Sequence, residues 1–170
     1  MKIVVLSDTH WLAGPELAKV LALVAAQKPD LILHAGDWTD LGLLPELQKI
    51  ASVEAVAGNC DRMETAAELG LAKVVNAEGL RIGLTHGHLF YYLPTPKSAL
   101  RTFADEAEPV QAVVFGHSHI PLCQREGEVL LFNPGSAVRP LGEIKKPSYG
   151  LLTIEEGNIK GEIIYFDKEK

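Results

Sequence analysis

Cysteine is scarce in this chain, with only Cys60 and Cys123 among 170 residues. So few thiols exclude a disulfide-stabilised fold and are typical of a protein from a reducing compartment. Long apolar runs are also missing. None approaches the ~18 residues that a membrane-spanning helix needs. The first run ends at Leu6, before Asp8, which is too short for a secretory signal. We therefore expect a cytoplasmic protein without a membrane partner.

Positive charge is in short supply. The chain has 16 Lys and Arg against 22 Asp and Glu, for a formal net charge of −6. This balance argues against a long nucleic acid as a partner, but a local site can still bind a short phosphorylated substrate. A content of 47% hydrophobic and 22% charged residues excludes a disordered chain. The length predicts a single domain over residues 1–170 and leaves a homo-oligomer open.

Hydrophobic periodicity predicts an α/β (α+β) protein. In the first half, strands are predicted over residues 2–7, 31–35 and 52–57, with helices from 14 to before 29 and over 45–51. In the second half, strands are predicted over 73–75, 80–85, 112–115, 129–132, 149–154 and 159–166, with one helix over 96–106. Two packed mixed β-sheets flanked by helices would bury the apolar faces of all these elements.

Histidine carries most of the chemical information. The chain has six: His10, His34, His86, His88, His117 and His119. Several lie in short polar motifs that directly follow predicted strands. Asp8-Thr9-His10 follows the first strand, Gly36-Asp37 the second and Gly58-Asn59 the third. In an extended chain, residues at i and i+2 point to the same side, so Asp8 and His10 could meet one cation.

Two histidine pairs follow later strands in the same way. They are His86-Gly87-His88 and Gly116-His117-Ser118-His119. Each motif taken alone could be an ordinary turn or a solvated loop. Two such pairs, each placed immediately after a strand, are much harder to obtain by accident.

In this order the motifs resemble those of the calcineurin-like metallophosphoesterase superfamily, and more narrowly its compact prokaryotic phosphodiesterase branch. The superfamily motifs span residues 8–119, and the motifs of the narrower branch are segments 34–37, 58–61, 85–88 and 133–136. The resemblance implies a four-layer αββα metallophosphoesterase sandwich. It also implies a metal-dependent phosphodiesterase that acts on a small phosphodiester substrate.

The resemblance further implies a site for two divalent metal ions, expected to be Mn²⁺, with Ni²⁺, Zn²⁺, Fe²⁺ and Mg²⁺ as alternatives. Asp8, His10 and His119 would bind the first ion, Asn59, His86 and His117 the second, and Asp37 both. Oxygen and imidazole donors suit these ions. The two ions would share a hydroxide that attacks phosphorus in line with the leaving oxygen. The residues implied to be catalytic are Asp37, Asn59, His86 and His88.

One residue departs from the superfamily pattern. Many members have a histidine after the glycine–asparagine pair, where it protonates the leaving group, but this chain has Cys60. A thiol is a poor proton donor near pH 7, which disfavours phosphomonoester hydrolysis. The favoured interpretation of Cys60 is a small buried residue without chemistry. A non-catalytic scaffold, like the retromer subunit of this superfamily, remains the alternative to an enzyme.

Other residues keep open interpretations. His88 could reach substrate, orient His86 or simply be a solvated loop residue. For His34 we favour a packed or supporting role, and for Arg62 a surface position over a phosphate contact. The aromatic loop, which we define as residues 90–93 (Phe-Tyr-Tyr-Leu), could stack on an aromatic leaving group or nucleobase, or form a subunit contact.

Overall fold

The structure is a computed structural model that describes residues 1–10 and 13–167. In chain order the elements are β1 (Lys2–Leu6), α1 (Gly14–Ala26), β2 (Leu31–His34), α2 (Leu43–Gln48), β3 (Ser52–Ala55), α3 (Met63–Leu69), β4 (Ala72–Ala77), β5 (Leu80–Thr85), α4 (Thr95–Thr102), β6 (Ala112–Val114), β7 (Leu122–Glu126), β8 (Val129–Asn133), β9 (Ser148–Glu155) and β10 (Asn158–Tyr165). Within the described residues, no helix has the length and hydrophobicity needed to cross a bilayer.

The strands form two mixed five-stranded sheets. The first has the order β10-β9-β1-β2-β3 and the second β4-β5-β6-β8-β7. In the first sheet, β1, β2 and β3 run parallel, while β9 runs antiparallel to β1 and β10. In the second, β5, β6 and β8 run parallel, and β4 and β7 are antiparallel edge strands. The predicted mixed sheets are confirmed.

Alternation along the strands creates the four predicted layers. In β1, Ile3 and Val5 face the second sheet and pack in one cluster with Leu84 and Phe132. Val4 and Leu6 belong to a separate cluster with residues of α1 and α2 on the outer face. The outer face of the second sheet is covered by α4, through Ala99 and neighbouring residues. Period-two burial in the strands therefore gives helix, sheet, sheet and helix layers.

The structure corrects several predicted elements. The helix predicted over 45–51 is α2, Leu43–Gln48, and the one predicted over 96–106 is α4, Thr95–Thr102. Helix α3 and strand β7 were not predicted. None of the described residues of α3 is buried, so it lacks the apolar stripe that marks a helix. Strand β7 is largely exposed along its length, and its residues Leu-Cys-Gln-Arg-Glu show no apolar alternation.

Parallel pairing brings the site loops to the same level. Leu6 pairs with His34 and His34 with Ala55, so the loops after β1, β2 and β3 leave the first sheet side by side. In the second sheet, Val114 pairs with both Leu84 and Phe132, which aligns the loops after β5, β6 and β8. Carboxyl ends of parallel strands are where open α/β sheets place their sites.

Candidate metal centre

Hydrogen bonds between main-chain groups and side chains join the site loops of the two sheets. Within the first sheet, the amide of Asp8 donates to the carbonyl of Gly36 at 3.0 Å. Between the sheets, the amide of His117 donates to Asp8 Oδ2 at 3.1 Å and the Ser136 hydroxyl donates to the Asp8 carbonyl at 2.7 Å. Asn133 Nδ2 also donates to the carbonyl of Gly116 at 2.8 Å. Ser136 and Asn133 belong to the Asn-Pro-Gly-Ser turn. This turn therefore holds the main chain of the loops that carry Asp8 and Gly116.

Five of the predicted metal ligands have backbone torsions in the left-handed region. They are Asp8 (φ 53°), His10 (φ 43°), Asp37 (φ 59°), His117 (φ 67°) and His119 (φ 56°). Such a conformation costs a non-glycine residue about 1–2 kcal/mol. The surrounding hydrogen bonds hold this strain in place. The expected extended geometry of Asp8-Thr9-His10 is therefore wrong, although both side chains do converge on one point.

Four buried or half-buried side chains form the first ligand group, which we define as Asp8, His10, His119 and the shared Asp37. One potential ligand atom from each lies within 4.8 Å of all the others. His119 Nε2 is 3.2 Å from Asp8 Oδ1, and His10 Nε2 is 3.9 Å from Asp37 Oδ2. His10 Nε2 and His119 Nε2 approach to 3.4 Å. The family resemblance implied the same four residues.

The second ligand group, defined as Asn59, His86 and His117, is more open. His86 is fully buried, and its Nε2 lies 3.3 Å from Asp37 Oδ1. Asp37 thus presents one carboxylate oxygen to each group. The His117 ring lies 5.2 Å from that of His86. Asn59 and His117 are both exposed and line one cavity together with His88.

The donor set fits divalent metal ions. Asp8 Oδ1 and His86 Nε2 are buried, and neither has a hydrogen-bond partner among the described residues. Orphaned buried polar atoms are costly unless a ligand satisfies them. Together the two groups offer two carboxylates, four imidazoles and one amide, which suits Mn²⁺, Zn²⁺, Fe²⁺ or Ni²⁺ better than a thiolate-preferring ion.

Two ligand histidines are fixed in one tautomer by main-chain carbonyls. His86 Nδ1 lies 2.7 Å from the carbonyl of Ala35, and His119 Nδ1 lies 2.7 Å from that of Arg139. A carbonyl can only accept, so each Nδ1 must donate. The lone pair of each neutral ring then lies on Nε2, which faces the carboxylates. Such partners orient metal-binding histidines in general.

Burial and the neighbouring carboxylates shift the pKa values of the site histidines in opposite directions. Burial lowers the pKa of His86, but contact with Asp37 and the charge of Asp8 outweigh it and raise the pKa above 6.5. Contact with Asp8 raises the pKa of His119 against burial. Burial lowers the pKa values of His10 and His117. Burial would raise the pKa of Asp37, yet contact with His86 and the Cys60 amide hold it well below its usual range.

The sequence reasoning gave no role to Asp61, which organises the loop after β2. Its Oδ2 accepts from the amides of Asp37 at 3.0 Å and Gly58 at 2.7 Å, and its Oδ1 from the amide of Thr39 at 2.7 Å. Asp61 therefore holds the loops after β2 and β3 together at the shared ligand. Its position at the end of the 58–61 motif is the one feature of the sequence that could have indicated this role.

Gly58 and Gly116 leave the space that the carboxylates of Asp37 and Asp8 occupy. A Cβ at Gly58 would overlap Asp37 Oδ1, and a Cβ at Gly116 would overlap Ser7 Oγ and crowd Asp8 Oδ2. The groups in both clashes are themselves buried. Glycine in these motifs is therefore required by close approach of the backbone to a ligand, beyond any turn geometry.

The remaining histidines take different roles. His34 is fully buried, stacks on Trp38 at a ring distance of 3.5 Å, and contacts Thr9 Oγ1 through Nε2 at 3.0 Å. It is a packed, supporting residue, as favoured from the sequence. His88 is half-buried, with its ring 5.4 Å from that of His86.

The interpretation of Cys60 as a buried filler is wrong, since the side chain is exposed. The chain turns outward at Asn59 and Cys60, and the Cys60 amide donates to Asp37 Oδ1 at 2.9 Å. Partial burial and the neighbouring Asp37 carboxylate raise the pKa of the thiol to about 11. Arg62 is also exposed and lies beside Thr39 and Glu64.

Comparison with known proteins shows the family of the chain. The profile of the calcineurin-like phosphoesterase superfamily domain matches residues 1–157, so the chain belongs to that family. It is 33% identical to phosphodiesterase YfcE of Escherichia coli, over 89% of this chain and 87% of that protein. It is 32% identical to a probable metallophosphoesterase of Methanothermobacter thermautotrophicus, over 96% and 92%.

Solved structures show the same fold. A predicted phosphoesterase from Streptococcus pneumoniae is 28% identical, with a TM-score of 0.75 over 96% of this chain and 88% of that one. YfcE has a TM-score of 0.68 at 30% identity, over 90% and 88%. Vps29 from Entamoeba histolytica, at 22% identity, shares the fold with a TM-score of 0.76 over 98% and 100%.

Proposed function

We propose that this protein is a metal-dependent phosphodiesterase with a dinuclear centre, most suited to Mn²⁺, that cleaves small phosphodiesters. The observation that carries the proposal is the position of Asp37. Its Oδ1 lies 3.3 Å from His86 and its Oδ2 lies 3.9 Å from His10, so one carboxylate faces both ligand groups. The family membership and the diesterase relative YfcE support the same reaction class.

The charges of the ligands suit an anionic ester. The two groups contain only two carboxylates, Asp8 and Asp37, and their other donors are neutral when bound. Two divalent ions would therefore leave a net positive site. When bound, such ions activate water as a nucleophile and neutralise charge that develops on the phosphoryl oxygens.

The protein's own contribution is positioning. The carbonyls of Ala35 and Arg139 orient His86 and His119, and Asp61 holds the backbone of Asp37. Asn59 and His88 line the open side of the site, where a substrate enters. In this proposal Asp37, Asn59 and His86 hold the ions, and His88 contacts the phosphate ester.

The identity of residue 60 favours diesters over monoesters. With a pKa near 11, the Cys60 thiol is a weak acid. Protonation of a poor leaving group is therefore weakly assisted at neutral pH.

The test is hydrolysis of bis(p-nitrophenyl) phosphate by protein stripped with a chelator and reloaded with Mn²⁺, Ni²⁺, Zn²⁺ or Mg²⁺. We expect no turnover after stripping, recovery on reloading, and faster turnover of the diester than of p-nitrophenyl phosphate. Turnover that survives complete metal removal would contradict the proposal, as would an inert protein at full metal occupancy.

A further inference from the structure

A cavity opens directly beside the second ligand group. Its volume is about 310 Å³, and Asn59, His88 and His117 form one side. Tyr91 and Leu93 of the aromatic loop form another side. This volume lies at the lower end of the ~300–1,000 Å³ range of small-molecule sites. One part of a small ligand could thus occupy the cavity while another part reaches the metal centre.

The lining distinguishes this cavity from another that touches the first ligand group. A second cavity of about 310 Å³ touches His10, but its lining includes the carboxylate of Asp40. None of the described residues that line the first cavity is acidic. A carboxylate repels an anionic ester. The side of Asn59 and His117 is therefore the electrostatically favoured side for the ester's substituent.

The aromatic loop is anchored so that one ring stays free. The amide of Phe90 donates to the buried Ser98 Oγ at 3.0 Å, and the Arg101 guanidinium lies 5.7 Å from the Phe90 ring. The amide of Leu93 donates to the Phe90 carbonyl at 2.9 Å. Tyr91, between these anchors, is 91% exposed, and among the described residues its ring packs edge-on against Tyr92 at 5.7 Å.

A free aromatic face at the rim of a ligand cavity is suited to stacking. Hydrogen bonds hold the main chain on both sides of Tyr91, so stacking on a ligand would need to fix the Tyr91 side chain but not the loop backbone. Aromatic rings stack on any planar base, because every base has a π-face. Leu93 adds apolar contact, and Thr95 a hydroxyl, at the same cavity.

We propose that this cavity is the specificity site for a planar aromatic substituent of the phosphodiester, with Tyr91 stacking on it. A nucleobase is the biological group of that kind. The preferred substrates are then phosphodiesters that carry a nucleoside, rather than simple alkyl or sugar diesters. This inference rests on the proposed function for its phosphate contact, but it concerns residues that do not hold metal.

The experiment measures binding of two ribose phosphates, one that carries a base and one that does not. Adenosine 5′-monophosphate and ribose 5-phosphate are titrated by calorimetry into the Mn²⁺-loaded protein. The wild type is compared with Tyr91→Ala, Tyr91→Phe and the control Tyr165→Ala, which removes a partly exposed tyrosine from β10. Thermal unfolding of each variant checks that it is folded.

We expect the wild type to bind the adenosine compound about tenfold more tightly, a typical contribution of one base–aromatic stack. Tyr91→Ala should reduce this preference to about twofold or less, whereas Tyr91→Phe and Tyr165→Ala should keep it. Equal affinity of the wild type for both probes would overturn the inference. So would a preference that survives in Tyr91→Ala, or a failure of both probes to bind.

Hydrolysis of bis(p-nitrophenyl) phosphate is measured separately on the same samples. If the wild type prefers the adenosine probe but hydrolyses no diester, the result supports the cavity assignment and contradicts the proposed activity. If the wild type hydrolyses the diester but shows no preference for the base, the result supports the proposed activity and contradicts the cavity assignment. The two proposals can therefore fail independently.

Discussion

The first and second ligand groups are built to different degrees by the fold. In the first group, Asp8, His10 and Asp37 are buried, and four ligand atoms already lie within 4.8 Å. In the second group, only His86 is buried, while Asn59 and His117 are exposed. A preorganised site loses less entropy on binding. The first group should therefore bind its ion more tightly, and the second should be the side that exchanges ligands and meets substrate.

The shared ligand gives the largest expected effect. Asp37→Asn should lower kcat by about 10³-fold or more, because it removes the one charge that serves both groups. The asparagine can still accept from the Cys60 amide, so the fold should persist. Activity and elemental analysis are compared with Asp40→Asn, an exposed aspartate of the same loop. Two ions per chain and full turnover in Asp37→Asn would show that it bridges nothing.

The fold was largely predictable because its signals are local. Buried strands such as β1 and β2 are short β-branched or leucine-rich runs, and the proline near the start of α1 marks the first turn. Helix α3 and strand β7 were not predicted because both are largely exposed, and an exposed element lacks the periodic pattern of apolar residues. Pairing of β6 with β8, across the intervening β7, depends on tertiary packing that no local pattern records.

The motifs pointed to candidate ligands, four of which the structure brings together, but the geometry of these residues was not predictable. The motifs name Asp8, His10 and Asp37, yet nothing local shows that these residues adopt left-handed torsions. The hydrogen bonds that hold those torsions come from distant residues, such as Asp61 and Ser136. The exposure of Cys60 was not predictable either, because a small residue is equally compatible with a buried core and with an exposed turn.

A matched pair of histidine variants separates the two groups. His119→Ala should remove the tighter step of a Mn²⁺ titration, and His117→Ala the weaker step. Each loss should exceed the ~10–100-fold typical of losing only an outer partner of a ligand. Calorimetry on metal-free protein gives both affinities. If the two variants weaken the same step, the division into two groups is wrong.

The raised pKa values set the pH at which metal is lost. His86 and His119 keep their protons to higher pH than an ordinary histidine, and a bound ion must displace those protons. Metal affinity should therefore already decline as pH falls towards 6.5. Below that pH each displaced proton should weaken binding about tenfold per unit. Activity should then fall below about pH 6.

Mn²⁺ affinity measured from pH 5.5 to 8 tests this, since histidines of ordinary pKa would begin to lose the metal only around pH 6.5, not above it. A flat affinity and a flat rate over the whole range would contradict an imidazole-bound centre.

Asp61 offers a smaller, indirect effect. Asp61→Asn replaces a carboxylate that accepts three amide hydrogen bonds with a group that has one oxygen. The backbone of Asp37 would lose part of its support. We expect Mn²⁺ affinity to fall about 10–100-fold, the range typical for such partners. Asp40→Asn again serves as the control. A normal metal affinity together with reduced stability would reduce Asp61 to a purely structural role.

The smallest expected effect concerns Cys60, on the open side of the second group. General acid catalysis contributes about 10²–10⁴-fold where the geometry is right. An imidazole placed here without further optimisation should give only a several-fold increase. Cys60→His should accelerate hydrolysis of an alkyl phosphomonoester, whose alkoxide needs a proton, more than that of p-nitrophenyl phosphate, whose leaving group hardly needs one.

The comparison is made at equal metal occupancy, with Cys60→Ser as the control, because an added imidazole can also perturb the neighbouring Asn59. Selective acceleration of the alkyl ester would place residue 60 within reach of the leaving oxygen. Equal rates with both ions bound would mean that protonation is not what limits monoesters. The preference for diesters would then have to arise from the charge of the open second group and the shape of the cavity beside it.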